Sequence, residues 1–574
     1  MPLVKRPAIF SKQEDIKSRL NELLDGRLIS AKVNEKQTLA IADKAFKHQF
    51  SVLGSPLVQR GKIPWHEDIK SGYVWPQGKY YRDYKIVDST NTSDVKVPWE
   101  ISRCHHLLYL GQAYRITKDE KYAKEVIVQI LDWIDHNPLM HSINWTCSME
   151  VAIRAVNWMW ALHLISTSGL IDDSFTKRIS KSLYEHGFFI FHNLENYDKY
   201  NANHYFSDIV GLLFIGSLLY KNKQAKKWFD FALQEFQSEI RIQFLPSGFH
   251  YERSISYHRL MTELAGYSWG LLNMINVSLP MDVKNRIERM FMVVAAYLKP
   301  NGMAPNIGDE DDGRFLPFVK CDFHYHAYLL DLYHSITGKV LDGKRDHITV
   351  YNDAGFVVVR QNGDYLFISN GGVSKYPELD KWNVTHSHCD LLSFEYFTNG
   401  KDVIVDPGTF AYTSDFNDRL EFKSTKKHNT VQIDGVEQYG LDKNKPFALY
   451  VDSLPTGISI DESNSGILRI IAEYCKHTKP LVYKHKRVYT VSKSELKVED
   501  EITSKGNHTY RAFLHLPNGQ LKGVKIMPSA GCLVKEINDS VSTSYGVKHP
   551  SKTLILEKSF TDKIVSSFEI VSEE

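Results

Sequence analysis

The chain has 574 residues, which is too long for one hydrophobic core and predicts two or three domains. Its 70 basic and 68 acidic residues leave a formal net charge of +2, so no overall field favours binding to nucleic acid. Six dispersed cysteines without a CxxC pair argue against a disulfide framework and a cysteine-based zinc site, and no apolar run reaches the roughly 18 residues that span a bilayer.

The N-terminal half has the apolar spacing of helices, from about Gln13 to Gly338. Short connectors rich in Gly, Pro, Asp and Asn separate the helical segments, which predicts antiparallel helical hairpins closing into a ring or toroid. The predicted helices cover about residues 14–25, 37–49, 100–117, 120–136, 149–164, 173–193, 204–221, 223–243, 254–275, 281–298 and 322–336.

The pattern changes near Asp342-Gly343-Lys344, and β-branched and aromatic runs alternate with turns from Val350 onward. Asp434-Gly435 is typical of a tight hairpin turn. The C-terminal half is therefore predicted to be a large antiparallel β-sandwich. Together the patterns predict a multidomain α+β protein with a helical toroid over residues 1–343 and a β-sandwich over residues 344–574.

The most informative motif combines His386-Ser387-His388 with Asp406 and His428, all in strand-like sequence. Imidazoles with one carboxylate form a donor set that suits a divalent metal such as zinc. In an extended segment His386 and His388 should point to the same side, and one histidine would be left for chemistry. The alternative interpretation is scattered surface histidines, since the chain holds 24 of them.

Two further clusters lie in the helical half. Asn203 and His204 stand at a predicted helix start, where an amide either caps the helix or stabilises a negative charge. Tyr257 would ordinarily be an interfacial aromatic residue. Beside a cation or a metal its phenol pKa of roughly 10 would fall, which would make it a usable base or acid.

A fourth group mixes aromatic and charged residues at helix starts and is typical of a groove for a charged glycan. Helix capping with ordinary core packing explains the same residues equally well. Its members are Trp99, Glu100, Arg103, His105, Trp145 and Glu150.

Taken in order, these motifs resemble the heparinase II/III-like polysaccharide lyases, a superfamily that joins an incomplete α/α toroid to an antiparallel β-sandwich. The resemblance covers roughly residues 95 to 440. The segments that carry it are Asn144-Trp145-Thr146, residues 149–158, Asn203-His204, residues 249–258, residues 386–395, residues 405–409, Ser424-Thr425 and residues 428–431.

The resemblance implies β-elimination in a polysaccharide or oligosaccharide that contains uronic acid. Asn203, helped by His204, would neutralise the uronate carboxylate in the manner of an oxyanion hole. Tyr257 would be the acid, and also the base in a syn elimination, whereas His386 would be the base for the opposite geometry.

The resemblance also implies a structural divalent metal, with zinc as the expected ion. His388, Asp406 and His428 would hold it and so position the loop that carries His386. The expected partner is an acidic polysaccharide or oligosaccharide, and no nucleic acid or membrane span is expected. The chain as written predicts a soluble cytoplasmic protein, or a periplasmic or secreted one after removal of a signal peptide.

Substrate contacts are predicted for Trp99, Glu100, His105, Trp145, Glu150, Arg154, Glu252 and Arg419. If Arg419 binds a carboxylate or a sulfate, Arg419→Ala should raise KM more than it lowers kcat. Two other functions stay open. One is a glycoside hydrolase with Glu252 and a member of the acidic run 309–312 as its carboxylate pair, although that run is better interpreted as a solvated loop or groove rim. The other is a glycan-binding protein without catalysis.

Overall fold

The computed structural model describes residues 10–29, 33–88, 90–196, 201–341, 347–361, 363–370, 386–462, 467–492, 495–517 and 523–572. The predicted domain boundary between residues 343 and 344 lies outside these described ranges, so its position stays a prediction. In the described ranges no helix combines the length and the apolar character that a bilayer crossing requires.

The N-terminal half is helical, and the predicted helices are confirmed with shifts of a few residues at their ends, except that the helix predicted from residue 322 begins only at Tyr328. The predicted helix 100–117 is divided, because Cys104 adopts a left-handed backbone with φ of 60° that no α-helix continues. The helices are α1 Gln13–Leu23, α2 Glu35–Phe46, α3 Lys96–Ser102, α4 His105–Thr117, α5 Glu120–His136, α6 Ser148–Leu164, α7 Asp173–His192, α8 Asn203–Leu218, α9 Lys223–Gln243, α10 Ile255–Met274, α11 Met281–Tyr297 and α12 Tyr328–Thr337.

These helices form two layers. The even-numbered helices from α2 to α10 pack successively against one another, and α5, α7, α9 and α11 pack outside them. Every residue of α6 is buried, and α8 is buried from Tyr205 to its end. A helix that is apolar all round belongs inside a fold, so the strongly hydrophobic α6, α8 and α10 form the inner layer of the toroid.

The C-terminal half is antiparallel β-structure, and the hairpin turn predicted at Asp434-Gly435 is present with φ of 53° and 75°. A short helix, α13 (Phe416–Lys423), interrupts the strands. The strands of the chain are β1 Gln49–Phe50, β2 Val58–Gln59, β3 Ile348–Tyr351, β4 Phe356–Gln361, β5 Asp364–Ser369, β6 Ser393–Thr398, β7 Lys401–Ile404, β8 Val431–Ile433, β9 Gly440–Leu441, β10 Leu449–Tyr450, β11 Ser453–Glu462, β12 Leu468–Lys476, β13 Tyr483–Val491, β14 Glu495–Leu516, β15 Val524–Pro528, β16 Leu533–Ser544 and β17 Val547–Ser572.

Two sheets build the sandwich. Strands β3 to β7 form a five-stranded sheet in chain order, and β8 with β11 to β17 form an eight-stranded sheet. The five-stranded sheet is buried on both faces. Val357 and Phe394 face the eight-stranded sheet, where the Phe394 ring lies 5.8 Å from that of Tyr489, whereas Phe356 packs 5.2 Å from Phe249 of the helical half. This sheet is therefore the middle layer of the molecule.

A glycine allows α6 and α8 to approach closely. A Cβ atom on Gly211 of α8 would lie 2.5 Å from the Cβ atom of Ala152 on α6, so Gly211→Ala should destabilise the protein by about 1–3 kcal/mol through overpacking. The measurement is the shift in denaturant midpoint, with Gly169→Ala as the control because nothing lies within 4 Å of its added Cβ. An unchanged midpoint for Gly211→Ala would contradict the close packing.

Candidate active site

A cleft of about 710 Å³ lies between the helical half and the β-sandwich. The first turns of α6, α8 and α10 all contribute to it, and helix N-termini favour negative charge in a ligand. Seven of the residues predicted to be catalytic or to contact substrate line it together: Trp99, Glu150, Asn203, His204, Glu252, Tyr257 and His386.

The other predicted substrate contacts do not reach this cleft. Glu100 and His105 line a second cavity of about 590 Å³. Trp145 and Arg154 are buried in the helical core, where the Arg154 guanidinium lies 4.0 Å from the centroid of the Trp133 ring. The interpretation of these two as groove residues is wrong, because they are buried among aromatic residues of the helical half such as Trp133 of α5.

Asn203 does not cap its helix. The N-cap of α8 is Ala202, which makes no side-chain hydrogen bond, and the Asn203 amide donates instead to both carboxylate oxygens of Glu252 at 3.1 and 3.0 Å. The Oδ1 atom of Asn203 is buried without a partner. The capping interpretation is therefore wrong, and Glu252 fixes the orientation of an amide in the cleft wall.

His204 is a cleft residue whose side chain is 43% exposed. Its Nδ1 atom lies 3.0 Å from Oε1 of Glu195. Burial lowers the pKa of the imidazole, but the charge and hydrogen bond of Glu195 outweigh burial, so the pKa is raised from its ordinary value. This arrangement favours a positively charged His204 beside Asn203.

Tyr257 lies in the first turn of α10, which Ser254 caps through the Tyr257 backbone N–H. Its ring stacks on His386 at 3.8 Å, and its hydroxyl donates to Asp311 at 3.2 Å and lies 3.2 Å from the Tyr412 hydroxyl. The prediction that its pKa falls is wrong. Burial, followed by the charges of Asp311 and Asp309, raises the pKa of Tyr257 well above its ordinary value, so the phenol is neutral.

Asp309 joins the two histidines of the His386-Ser387-His388 motif. Its Oδ2 atom lies 2.8 Å from His386 Nδ1 and its Oδ1 atom lies 2.8 Å from His388 Nε2. Burial raises the pKa of Asp309, but Arg419 and the histidine hydrogen bonds hold it well below its ordinary value. An ionised carboxylate accepts hydrogen bonds, so the neutral tautomer of His386 that donates through Nδ1 carries its lone pair on Nε2, and the neutral tautomer of His388 that donates through Nε2 carries its lone pair on Nδ1.

Arg419 is fully buried, and both of its terminal nitrogens bind Asp309. Its guanidinium also lies 4.5 Å from the centroid of the Tyr412 ring. The expectation that Arg419 contacts substrate is wrong, because its donors are already directed at a buried carboxylate. Because Arg419 does not face the cleft, the predicted rise in KM of Arg419→Ala is no longer expected.

The predicted metal ligands His388, Asp406 and His428 are buried close together. The rings of His388 and His428 lie 5.2 Å apart, and His428 Nδ1 lies 2.8 Å from Oδ2 of Asp406. His388 Nδ1 and His428 Nε2 are buried without a hydrogen-bond partner. The two orphaned nitrogens are chemically suited to a divalent metal, but Asp406 contacts Nδ1 of His428 and not the orphaned Nε2. In the part of the chain that the structure describes, these three side chains do not bring their ligand atoms together as a set.

The acidic run 309–312 is not a solvated loop, although Asp311 lines the cleft. All four carboxylates are buried, with Asp309 fully so. Glu310 accepts from Ser256 at 2.6 Å and Asp311 accepts from Lys96 at 2.5 Å. Buried carboxylates need such partners. Because the partners lie far away in the sequence, the acidic composition of the run alone suggested that it is exposed to solvent.

Lys96 and Tyr412 are cleft residues that no sequence motif marked. Lys96 is bound to Asp311, and Arg103 is bound through two nitrogens to Glu150 at 2.7 Å each. Tyr412, from the sandwich half, completes the wall next to Tyr257. Arg103 stood in the predicted groove group, but the position of Lys96 depends on the packing of both halves.

Comparison with known proteins gives the family. Residues 13–317 match the profile "Heparinase II/III N-terminus", and residues 344–563 match "Heparinase II/III-like, C-terminal". The chain belongs to the heparinase II/III family. The incomplete α/α toroid and antiparallel β-sandwich expected from the resemblance are thereby confirmed.

Curated relatives of this heparinase II/III family chain include two bacterial proteins. A heparin-sulfate lyase of Pedobacter heparinus is 24% identical over 416 residues, which covers 70% of this chain and 58% of the relative. A heparin-sulfate lyase of Bacteroides stercoris is 21% identical over 518 residues, which covers 85% of this chain and 71% of the relative. The chain thus spans less than two thirds of the Pedobacter protein.

Solved structures share the fold of this heparinase II/III family chain across its length. A crystal structure of heparinase III has a TM-score of 0.71 at 17% identity and covers 100% of this chain and 94% of its own. The structure of the chondroitin AC lyase of Streptomyces coelicolor A3 in complex with chondroitin sulphate has a TM-score of 0.56 at 10% identity. This match covers 98% of this chain and 83% of the lyase chain.

Proposed function

We propose that the chain is a polysaccharide lyase that cleaves uronic-acid-containing glycans by β-elimination and leaves a 4,5-unsaturated uronate. The observation that carries the proposal is the meeting of an amide, a phenol and an imidazole in one cleft: Asn203, Tyr257 and His386. The relatives named heparin-sulfate lyase support a glycosaminoglycan as substrate.

Asn203 and His204 would bind the uronate carboxylate. The C5 proton of a uronate is acidic enough to leave only when that carboxylate is neutralised and the enolate-like intermediate is stabilised. An amide fixed by Glu252 and an imidazole with a raised pKa provide hydrogen-bond donors and positive charge at one point of the cleft.

Tyr257 and His386 would move the protons. A neutral phenol can donate to the leaving O4 oxygen, and the Nε2 lone pair of His386 can accept the C5 proton. Because the two rings are stacked, acid and base would act from one side of the sugar. His386 is therefore proposed as a base for syn elimination, and not for the opposite geometry that the family resemblance implied. This geometry favours glucuronate, whose C5–H and C4–O bonds lie on the same face, over iduronate.

A glycoside hydrolase fits the cleft less well. Hydrolysis by a carboxylate pair requires one protonated carboxyl group opposite Glu252. Asp311, the member of the acidic run that lines the cleft, is held ionised: burial raises its pKa, but Lys96 and Arg103 bring it far below its ordinary value. Glu252 itself is occupied by the Asn203 amide.

A structural metal is part of the proposal. His388 and His428 would hold the ion through their orphaned ring nitrogens, and zinc is the ion that suits this donor set. Asp406 would have to leave Nδ1 of His428 to become the third ligand. The ion would position the loop that carries His386. Asp309 would orient His386 and His388 together.

The test is ultraviolet absorbance of the conjugated uronate, measured on glucuronate-rich and iduronate-rich glycosaminoglycans. We expect the absorbance to rise on the glucuronate-rich polymers and Asn203→Ala to lower kcat by about 10²–10³. Asn201→Ala is the matched control, because Asn201 binds Glu239 at the same helix start and does not line the cleft. New reducing ends without absorbance, lost in Glu252→Gln, would instead indicate a hydrolase.

A further inference from the structure

Three side chains at one end of the cleft bring ligand atoms together. The thiol of Cys147, the carboxylate of Glu195 and the imidazole of His204 place ligand atoms within 4.8 Å of one another. Cys147 Sγ lies 3.5 Å from Glu195 Oε2 and 3.7 Å from His204 Nδ1, and His204 Nδ1 lies 3.0 Å from Glu195 Oε1. No sequence motif pointed to this cluster.

These separations match the donor spacing around a tetrahedral zinc ion. Zinc bonds of about 2.3 Å to sulfur and about 2.0–2.1 Å to nitrogen or oxygen separate neighbouring donors by about 3.3–3.6 Å. The separation of Cys147 Sγ and His204 Nδ1 differs from that range by about a tenth of an ångström. The two Glu195 separations involve different carboxylate oxygens, so the carboxylate binds the cation through both oxygens or turns to present one of them. A cation therefore requires only small movements of side chains that already face one another.

Two side chains of the cluster lie at helix starts, and hydrogen bonds hold the third. Cys147 is the N-cap of α6 and His204 is in the first turn of α8, the two helices that Gly211 brings into contact. Glu195 is held by the Met149 backbone N–H at 3.0 Å, and its own backbone N–H donates to Asp208 at 2.7 Å. His204 is partly exposed to the cleft, which gives a cation a path and leaves one coordination position open.

We propose that Cys147, Glu195 and His204 form a binding site for a thiophilic divalent cation of the zinc class, separate from the His388, Asp406 and His428 set. Thiolate with imidazole selects such ions over magnesium or calcium. On binding, the Cys147 thiol proton and the His204 Nδ1 proton pass to solvent, three metal bonds form, and the Glu195–His204 hydrogen bond is replaced. If the proposed lyase function holds, the bound cation withdraws His204 from the uronate carboxylate and inhibits elimination.

The test is a cobalt(II) titration of the full chain after chelator treatment. A cobalt–thiolate bond gives a charge-transfer band in the near ultraviolet, whereas the His388, Asp406 and His428 set contains no sulfur and gives none. We expect the band in the native chain and in Cys532→Ser, whose thiol lies in the sandwich next to Ser566, and we expect its loss in Cys147→Ser. Added zinc should displace cobalt and abolish the band.

His204→Ala is a second variant that alters a partly exposed side chain, so folding should survive, and cobalt affinity should fall by about 10–100-fold or more. No band in the native chain, or a band that persists in Cys147→Ser, would overturn the site. The charge-transfer band measures cation binding and does not depend on turnover of a glycan. A normal band in a chain that gives no unsaturated product would therefore reject the lyase function and keep the cation site.

Discussion

Tyr257→Phe is expected to lower kcat for β-elimination by about 10²–10⁴, because the phenol is the group that protonates the leaving oxygen. The change removes one oxygen atom and leaves the ring that stacks on His386 at 3.8 Å. Binding should therefore change little, and the loss should appear in kcat with KM nearly constant. The measurement is the initial rate at which ultraviolet absorbance increases, on the glycosaminoglycan that the native chain cleaves fastest.

Tyr412→Phe is the matched control for that experiment. Tyr412 lines the same cleft, and its hydroxyl lies 3.2 Å from the hydroxyl of Tyr257, so this variant removes a neighbour of the acid without removing the acid. We expect a much smaller loss, of about tenfold or less. Equal losses in the two variants, or near-normal turnover by Tyr257→Phe, would show that Tyr257 is not the proton donor.

Asp309→Ala is expected to cost about 3–5 kcal/mol of stability, because it leaves the buried guanidinium of Arg419 without its partner. It also removes the carboxylate that orients His386 and His388, so kcat of the surviving folded protein should fall by about 10–100-fold. Stability is measured as the shift in denaturant midpoint, and activity is measured at a temperature where the variant remains folded.

Asp230→Ala provides the contrasting control for stability. Asp230 pairs with Lys226 at 2.6 Å on an exposed helix face, and such pairs contribute less than about 1 kcal/mol. We expect the Asp230 variant to unfold close to the native midpoint. If Asp309→Ala unfolds at that same midpoint, the buried carboxylate does not hold the network of Arg419, His386 and His388 together.

Local patterns predicted much of this fold. The helices were predictable from apolar spacing, and the tight turn at Asp434-Gly435 from its dipeptide, because both signals act over a few residues. The break at Cys104 was not, since nothing in the sequence marks a left-handed residue there. The choice between an exposed and a buried acidic run depended on Lys96, Arg259 and Arg419, which lie far away in the chain.

The part of the candidate site that consists of family motifs was predictable from the sequence. Asn203, Tyr257 and His386 meet in one cleft, as a shared role requires, although that role stays a prediction. Arg154 and Arg419 were misinterpreted because sequence does not distinguish an arginine that faces a ligand from one that is buried against a ring or a carboxylate. The ionisation state of Tyr257 likewise depends on carboxylates that only tertiary packing places beside it.

The five-stranded sheet has a consequence for how the chain folds and how it can be divided. Its two faces complete two different hydrophobic cores, so neither the toroid nor the eight-stranded sheet is a self-sufficient folding unit. A toroid expressed alone would expose the apolar surface around Phe249, and an isolated large sheet would expose that around Tyr489. We expect one cooperative unfolding transition for the whole molecule, and aggregation of either half produced alone.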